Sequence, residues 1–135
     1  MQNASIKDNI RVCKEYINWT EKSINMDEYI ENLTKILKLA EHQNKKYDEL
    51  SGGMQRRLSL LIALIQTPQI LVLDEITANV DPQLKHDIWN VLNDYQQKFN
   101  RIIIITSHDS FELQYICSNV IHIHEGVVQT NCSVF

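Results

Sequence analysis

Glycine is scarce in this 135-residue chain: there are three, and two of them are adjacent, Gly52 and Gly53. With Gly126 the only other, no G-x-x-x-x-G-K-[ST] segment can be written, which excludes a phosphate cradle of that type built from these residues alone. The two prolines, Pro68 and Pro82, form no Pro/Gly-rich linker. Cys13, Cys117 and Cys132 are odd in number, far apart and in no C-x-x-C spacing, so neither a disulfide framework nor a zinc site is indicated, and a reducing compartment fits. The longest apolar run, Leu58 to Ile65 with Ser59 inside it, is far short of the roughly 20 residues of a membrane-spanning helix. Nothing after Met1 resembles a basic-then-apolar export signal. The expected location is cytoplasmic, at most peripheral at the cytoplasmic face of a membrane.

What is present describes a globular domain. Hydrophobic residues make up 44% and charged residues 22%, which argues against disorder. A formal net charge of -4 gives no general polyanion signal, so no nucleic-acid partner is expected; Arg56-Arg57 is only a local basic pair.

Periodicity orders the chain. Asp8 to Trp19 reads as a short helix. Asn25 caps a second, in which Met26, Tyr29, Ile30, Leu33, Ile36, Leu37 and Ala40 form one apolar stripe. Met54 to about Gln66 is apolar nearly all round after Arg57, so a buried helix is expected, ending before Pro68. Ile70 to Leu73 and the run IIII at 102–105 read as strands; their continuous apolarity predicts a parallel sheet covered on both faces. Between them Pro82 opens a helix with Leu84, Ile88, Val91, Leu92 and Tyr95 on one face, completing a strand-helix-strand unit. Phe111 to Cys117 is a further short helix, and Val120 to Ile123 with Val127 to Gln129 form a hairpin turning at Glu125-Gly126.

Parallel strands end on one edge of a sheet, where open α/β folds bind ligands. Asp74-Glu75 leave the first strand there and Ser107-His108 the second, so two acids and an imidazole converge. An Asp and a Glu at such an edge suit a magnesium-phosphate site, with Asp74 toward the metal and Glu75 toward an attacking water; the plainer alternative is a polar strand end. Ser51-Gly52-Gly53 directly precedes a helix, where free amides and the dipole attract anions and glycine permits close approach; alone, it could equally be a capped turn. Ser107-His108-Asp109 has the letters of a hydrolase triad, but adjacent residues cannot converge on one proton path. His122 and His124 share a strand face without a third ligand, and so read as surface or packing residues. Trp19 and Trp89 read as packing residues.

In order, LSGGMQRR, ILVLDE, ANVD and ITSHD resemble the signature motif, Walker B, D-loop and switch histidine of the nucleotide-binding domain of ATP-binding-cassette (ABC) proteins. Ser5 to Ile10 is similar to the T-V-R-E-N-L opening of that family's helical subdomain. The resemblance implies an α/β fold: a helical subdomain over 1–66, then the C-terminal half of a P-loop core with a parallel sheet over 67–135. Ser51, Gly52, Gly53, Met54 and Gln55 would meet the phosphates of ATP held by a partner subunit, and Asp81 would serve the dimer-crossing D-loop. Asp74 would serve Mg²⁺, with Glu75 and His108 as the catalytic pair. The implied activity is ATP hydrolysis driving transport through separate membrane permease subunits, the ATPase itself pairing with a second ABC subunit.

Four residues depart from the family's frequent pattern: Met54 stands before Gln55, Ile76 where Pro is common, and Asn79-Val80 where Gly-Leu is frequent. Walker A and the Q-loop have no counterpart, so the chain is expected to be the C-terminal portion of a longer domain, unstable by itself, with the P-loop strand absent between 102–105 and 120–123. Two other readings stay open: the C-terminal lobe of an ABC-type DNA-maintenance ATPase, and a non-catalytic remnant that pairs with an intact subunit.

Overall fold

The computed structural model describes residues 3–17, 19 and 23–133, with side chains described up to position 129. Its elements are α1 (Ile6–Tyr16), α2 (Met26–Ile36), α3 (Gly52–Ile65), β1 (Ile70–Asp74), α4 (Pro82–Phe99), β2 (Ile102–Thr106), α5 (Ser110–Ile116), β3 (Asn119–His124) and β4 (Val127–Ser133). The architecture is α/β, as read from the sequence. Three helices precede a parallel strand-helix-strand unit.

Local chemistry sets the helix ends. Ser5 and Asp8 form a reciprocal capping box on α1, and Asn25 accepts from the amides of Asp27 and Glu28 on α2. Helix α1 stops at Tyr16, short of the expected Trp19, because Ile17 turns to an extended conformation. Helix α3 starts at Gly52, two residues before the expected Met54, because Ser51 caps it by accepting from the Met54 amide at 3.3 Å. Asp81 caps α4 through the Leu84 amide, with Pro82 at its first turn.

One hydrophobic cluster runs through these parts. The α4 stripe, Leu84, Ile88, Val91, Leu92 and Tyr95, is fully buried with Phe99. Phe99 joins α2 to α4: its ring lies 5.4 Å from Tyr29, 6.1 Å from Trp19 and 5.1 Å from Tyr95. Burial of each such side chain contributes about 1.5–3 kcal/mol. The exposed pairs Lys35–Glu31 and Lys98–Asp94 contribute at most about 0.5 kcal/mol each, so packing decides the arrangement.

Strands β1 and β2 pair in parallel, Ile70 opposite Ile102 through Asp74 opposite Thr106. The sheet is not covered on both faces as expected. Leu71 and Leu73 are buried, but Ile70 (54% exposed), Val72 (66%), Ile102 (60%) and Ile104 (50%) face outward. The helices of this chain supply one layer only, which accounts for the difference. Strand β3 pairs antiparallel with β4 around Glu125-Gly126, and among the described residues it does not pair with β2. Cys13 and Cys117 are free thiols; the Cys132 side chain lies outside the described residues. No helix among the described residues is long and apolar enough to cross a membrane.

Helices α4 and α5 are clasped by Lys85, which hydrogen-bonds Asp109, the N-cap of α5, and lies 5.5 Å from the Trp89 ring centroid. The Lys85 hydrogen bond holds the Asp109 carboxyl below its ordinary 3.8, outweighing partial desolvation that pushes it up. A lowered folded value stabilises the fold fully above the unfolded pKa, and the contribution is lost as pH falls through the folded one. Lys85→Met should therefore lower the urea midpoint at about pH 5, with a deficit that shrinks as the pH falls below the ordinary 3.8 and through the lowered folded value. A deficit unchanged across that fall would break the assignment.

The exposed strand face predicts self-association. Val72 and Ile104 are register partners on that face. Val72→Thr with Ile104→Thr keeps β-branching while removing apolar surface, and should reduce light scattering of the isolated chain without lowering its helical signal. Equal scattering from parent and double variant would show that association runs through another surface.

Candidate active site at the strand edge

At the C-terminal ends of β1 and β2 the chain brings three titratable groups together. Asp74 closes β1 opposite Thr106, whose hydroxyl donates to the Asp74 carboxylate. Glu75 then turns sharply, with φ of 44°. That left-handed conformation costs a non-glycine residue about 1–2 kcal/mol, and it is held here because the Glu75 amide donates to both the carbonyl and the hydroxyl oxygen of Thr106, at 3.1 and 3.2 Å. The turn aims the Glu75 carboxylate at His108, with Oε1 2.8 Å from Nε2. His108 is otherwise open, its side chain 93% exposed.

The cleft beside this pair has a volume of about 490 Å³ and is lined by the loop after β1, from Glu75 to Val80, and the loop after β2, from Ser107 to Ser110, with Lys85 between them. Three ties hold the first loop. Arg56 of α3 donates to the Ala78 carbonyl at 3.3 Å, Lys38 after α2 stands 3.8 Å from Asp81, and the Thr77 hydroxyl donates to Glu112. The Asp81 carboxyl is held below its ordinary value, first by the Leu84 amide and also by the Lys38 charge.

Ser51, Gly52 and Gly53 lie apart from that cleft, exposed at the start of α3. Neither glycine has a positive φ, and a Cβ on either would meet nothing within 4 Å. Among the described residues no contact or backbone angle therefore requires glycine at either position. The remaining members of the segment are already engaged: Met54 is buried in the core with its amide bonded to Ser51, and the Gln55 amide group donates to the carbonyls of Tyr47 and Leu50.

A divalent cation held largely by phosphate and water needs only a carboxylate or two from the protein, and the exposed Asp74 offers hard oxygen of that kind. Among the described residues no group of three or more His, Cys, Asp or Glu could hold a metal by itself. Asp109 caps α5 and pairs with Lys85. His122 and His124 are exposed. Thr77, Lys85 and Glu112 were missed in the sequence; the available signal was a lone acid, Glu112, one helical turn before Ile116, which packs on the core.

Comparison with known proteins places this geometry in a family. Residues 1–78 match the family model described as ABC transporter. The Nod factor export ATP-binding protein I of a Rhizobium species is 34% identical over 125 residues, which are 93% of this chain and 40% of that protein. Its counterpart from Burkholderia lata is 34% identical over 122 residues, 90% of this chain and 39% of that protein. The chain thus spans about two fifths of the length of these curated relatives. A solved structure of the ATP-binding subunit of an ABC transporter superposes with a TM-score of 0.82 at 16% identity, covering 99% of this chain and 55% of that one, and so shares the fold. The chain belongs to the ABC transporter ATP-binding family.

Proposed function

We propose that this chain carries the signature, Walker B, D-loop and switch segments of an ABC transporter ATPase, which hydrolyses ATP between two paired subunits and drives transport through membrane permease subunits at the cytoplasmic face. Residues 1–66 are its helical subdomain and 67–135 the C-terminal half of its P-loop core. The observation that carries this reading is the 2.8 Å contact between Glu75 and His108 at the edge of a parallel strand pair, beside Asp74. The likeness to Nod factor export ATP-binding proteins supports export over import, and a transporter family match disfavours DNA maintenance.

In this reading Glu75 orients the attacking water and takes its proton, while His108 meets the γ-phosphate from the adjacent loop. Asp74 would hold Mg²⁺, which neutralises phosphate charge as it builds between attacking and leaving oxygens. Ser51, Gly52 and Gly53 present the N-terminus of α3 to the phosphates of ATP seated on the partner subunit. Met54 and Gln55 serve that surface from behind, by packing and by holding the preceding turn. Asp81 fixes the end of the D-loop at the subunit boundary.

Two substitutions test the assignments in the dimeric ATPase with a complete phosphate-binding loop. Glu75→Gln should retain ATP binding and slow turnover by about 10²- to 10⁴-fold, the scale of losing a general base; unchanged turnover removes Glu75 from the chemistry. Gly53→Ala separates folding from function. With helical φ and open space it should raise stability by about 0.4–1 kcal/mol in urea titration while hydrolysis falls. Full activity would mean that no phosphate approaches the start of α3.

A further inference from the structure

The most completely buried acid among the described residues plays no part in the scheme above. Glu112 on α5 is 1% exposed. A carboxylate stripped of water needs its hydration replaced, and here three donors from three separate segments supply it. Oε1 accepts from the Thr77 hydroxyl at 2.5 Å and from the Trp89 indole nitrogen at 2.7 Å, and Oε2 accepts from the Ser107 hydroxyl. Ser107 in turn accepts from the Asp109 amide at 3.0 Å.

Two of these donors, the hydroxyls, sit beside the catalytic pair in sequence. Thr77 is two residues beyond Glu75, and Ser107 immediately precedes His108. Because Ser107 is also bonded to the Asp109 amide, the backbone is anchored on both sides of His108 while its imidazole stays open toward Glu75. Thr77 and Ser107 line the cleft; Glu112 does not, and so reaches the chemistry only through them. Trp89 ties the same carboxylate to α4, the longest helix, which fixes the junction to the core.

We propose that Glu112 is a positioning residue for hydrolysis: one buried carboxylate gathers the loop carrying Glu75 and the loop carrying His108, and thereby sets their separation. The proposal rests on the reading of Glu75 and His108 as the hydrolytic pair. Glutamine at position 112 keeps the shape but removes the charge and replaces an acceptor oxygen with a donor, so the hydroxyl facing that nitrogen must accept where it now donates, and both hydroxyls exchange a charge-assisted bond for a weaker neutral one. ATP binding made elsewhere in the site is untouched by that change.

The test uses the intact dimeric ATPase with Glu112→Gln, Thr77→Val, Ser107→Ala, Glu75→Gln and His108→Ala. Glu112→Gln should lower kcat by about 10- to 100-fold, the scale of a misplaced catalytic group, with KM for ATP changed by less than about threefold. Thr77→Val and Ser107→Ala should give smaller losses in the same direction. Hydrogen exchange should rise in peptides covering 75–80 and 107–109. In the His108→Ala background Glu112→Gln should cost little more, because both act through one unit. A kcat per folded molecule within about twofold of the parent, or a loss that multiplies in full with His108→Ala, overturns the proposal while slow Glu75→Gln keeps the reading of the site. If Glu112→Gln does not fold, Thr77→Val and Ser107→Ala decide, and parental kcat in both overturns it. Parental turnover in Glu75→Gln and His108→Ala overturns the underlying reading and the proposal with it.

Discussion

The parallel register between Ile70–Asp74 and Ile102–Thr106 is the constraint on which the candidate site depends. It sets Asp74 beside the Thr106 hydroxyl and lets the Glu75 amide bond Thr106 twice, which holds Glu75 in its left-handed turn. A slip of one residue would reverse the faces of every side chain in the slipped strand. Burial opposes such a slip, since Leu71 and Leu73 lie in the core against the helices while Ile70 and Val72 do not. The same alternation that seats the strand therefore aims the acids at its end.

Around that edge, the loop from Glu75 to Asp81 is held by distant parts of the chain. Arg56 reaches it from the helix that begins at Gly52, Lys38 from the end of α2, and Glu112 from α5. The exposed glycine segment and the acid-histidine pair are therefore joined through α3 and one short loop. A shift of α3 would be felt first at the Ala78 carbonyl, three residues from Glu75. This gives a physical path between the phosphate contact proposed for one surface and the hydrolytic pair proposed at the other.

The apolar outer face of β1 and β2 fits the length relation to the relatives. Four β-branched side chains stand outward there, on strands whose composition is that of a buried sheet. The helices described cover only the opposite face. Continuous apolarity along a strand records burial on both sides, but it does not say which polypeptide supplies the second layer.

Much of the fold was legible in the residues. The α4 stripe was readable because a 3.6-residue period survives without tertiary context, and the strand-helix-strand order follows from alternating apolar runs and Pro82. Parallel topology alone then placed Asp74, Glu75 and His108 on one edge. The sequence did not contain the start of α3 at Gly52, which depends on a cap between Ser51 and Met54, or the early end of α1 at Ile17. Only the tertiary structure decided that Met54 faces the core and that Glu112 collects Thr77, Trp89 and Ser107, because partners 23 and 35 residues apart leave no periodic trace. By itself the sequence determined which residue types reach the strand edge; the packing of α4 in the core with β1 and the docking of α5 on α4 decided their distances, since hydrogen bonds between separate loops exist only once those helices are in place.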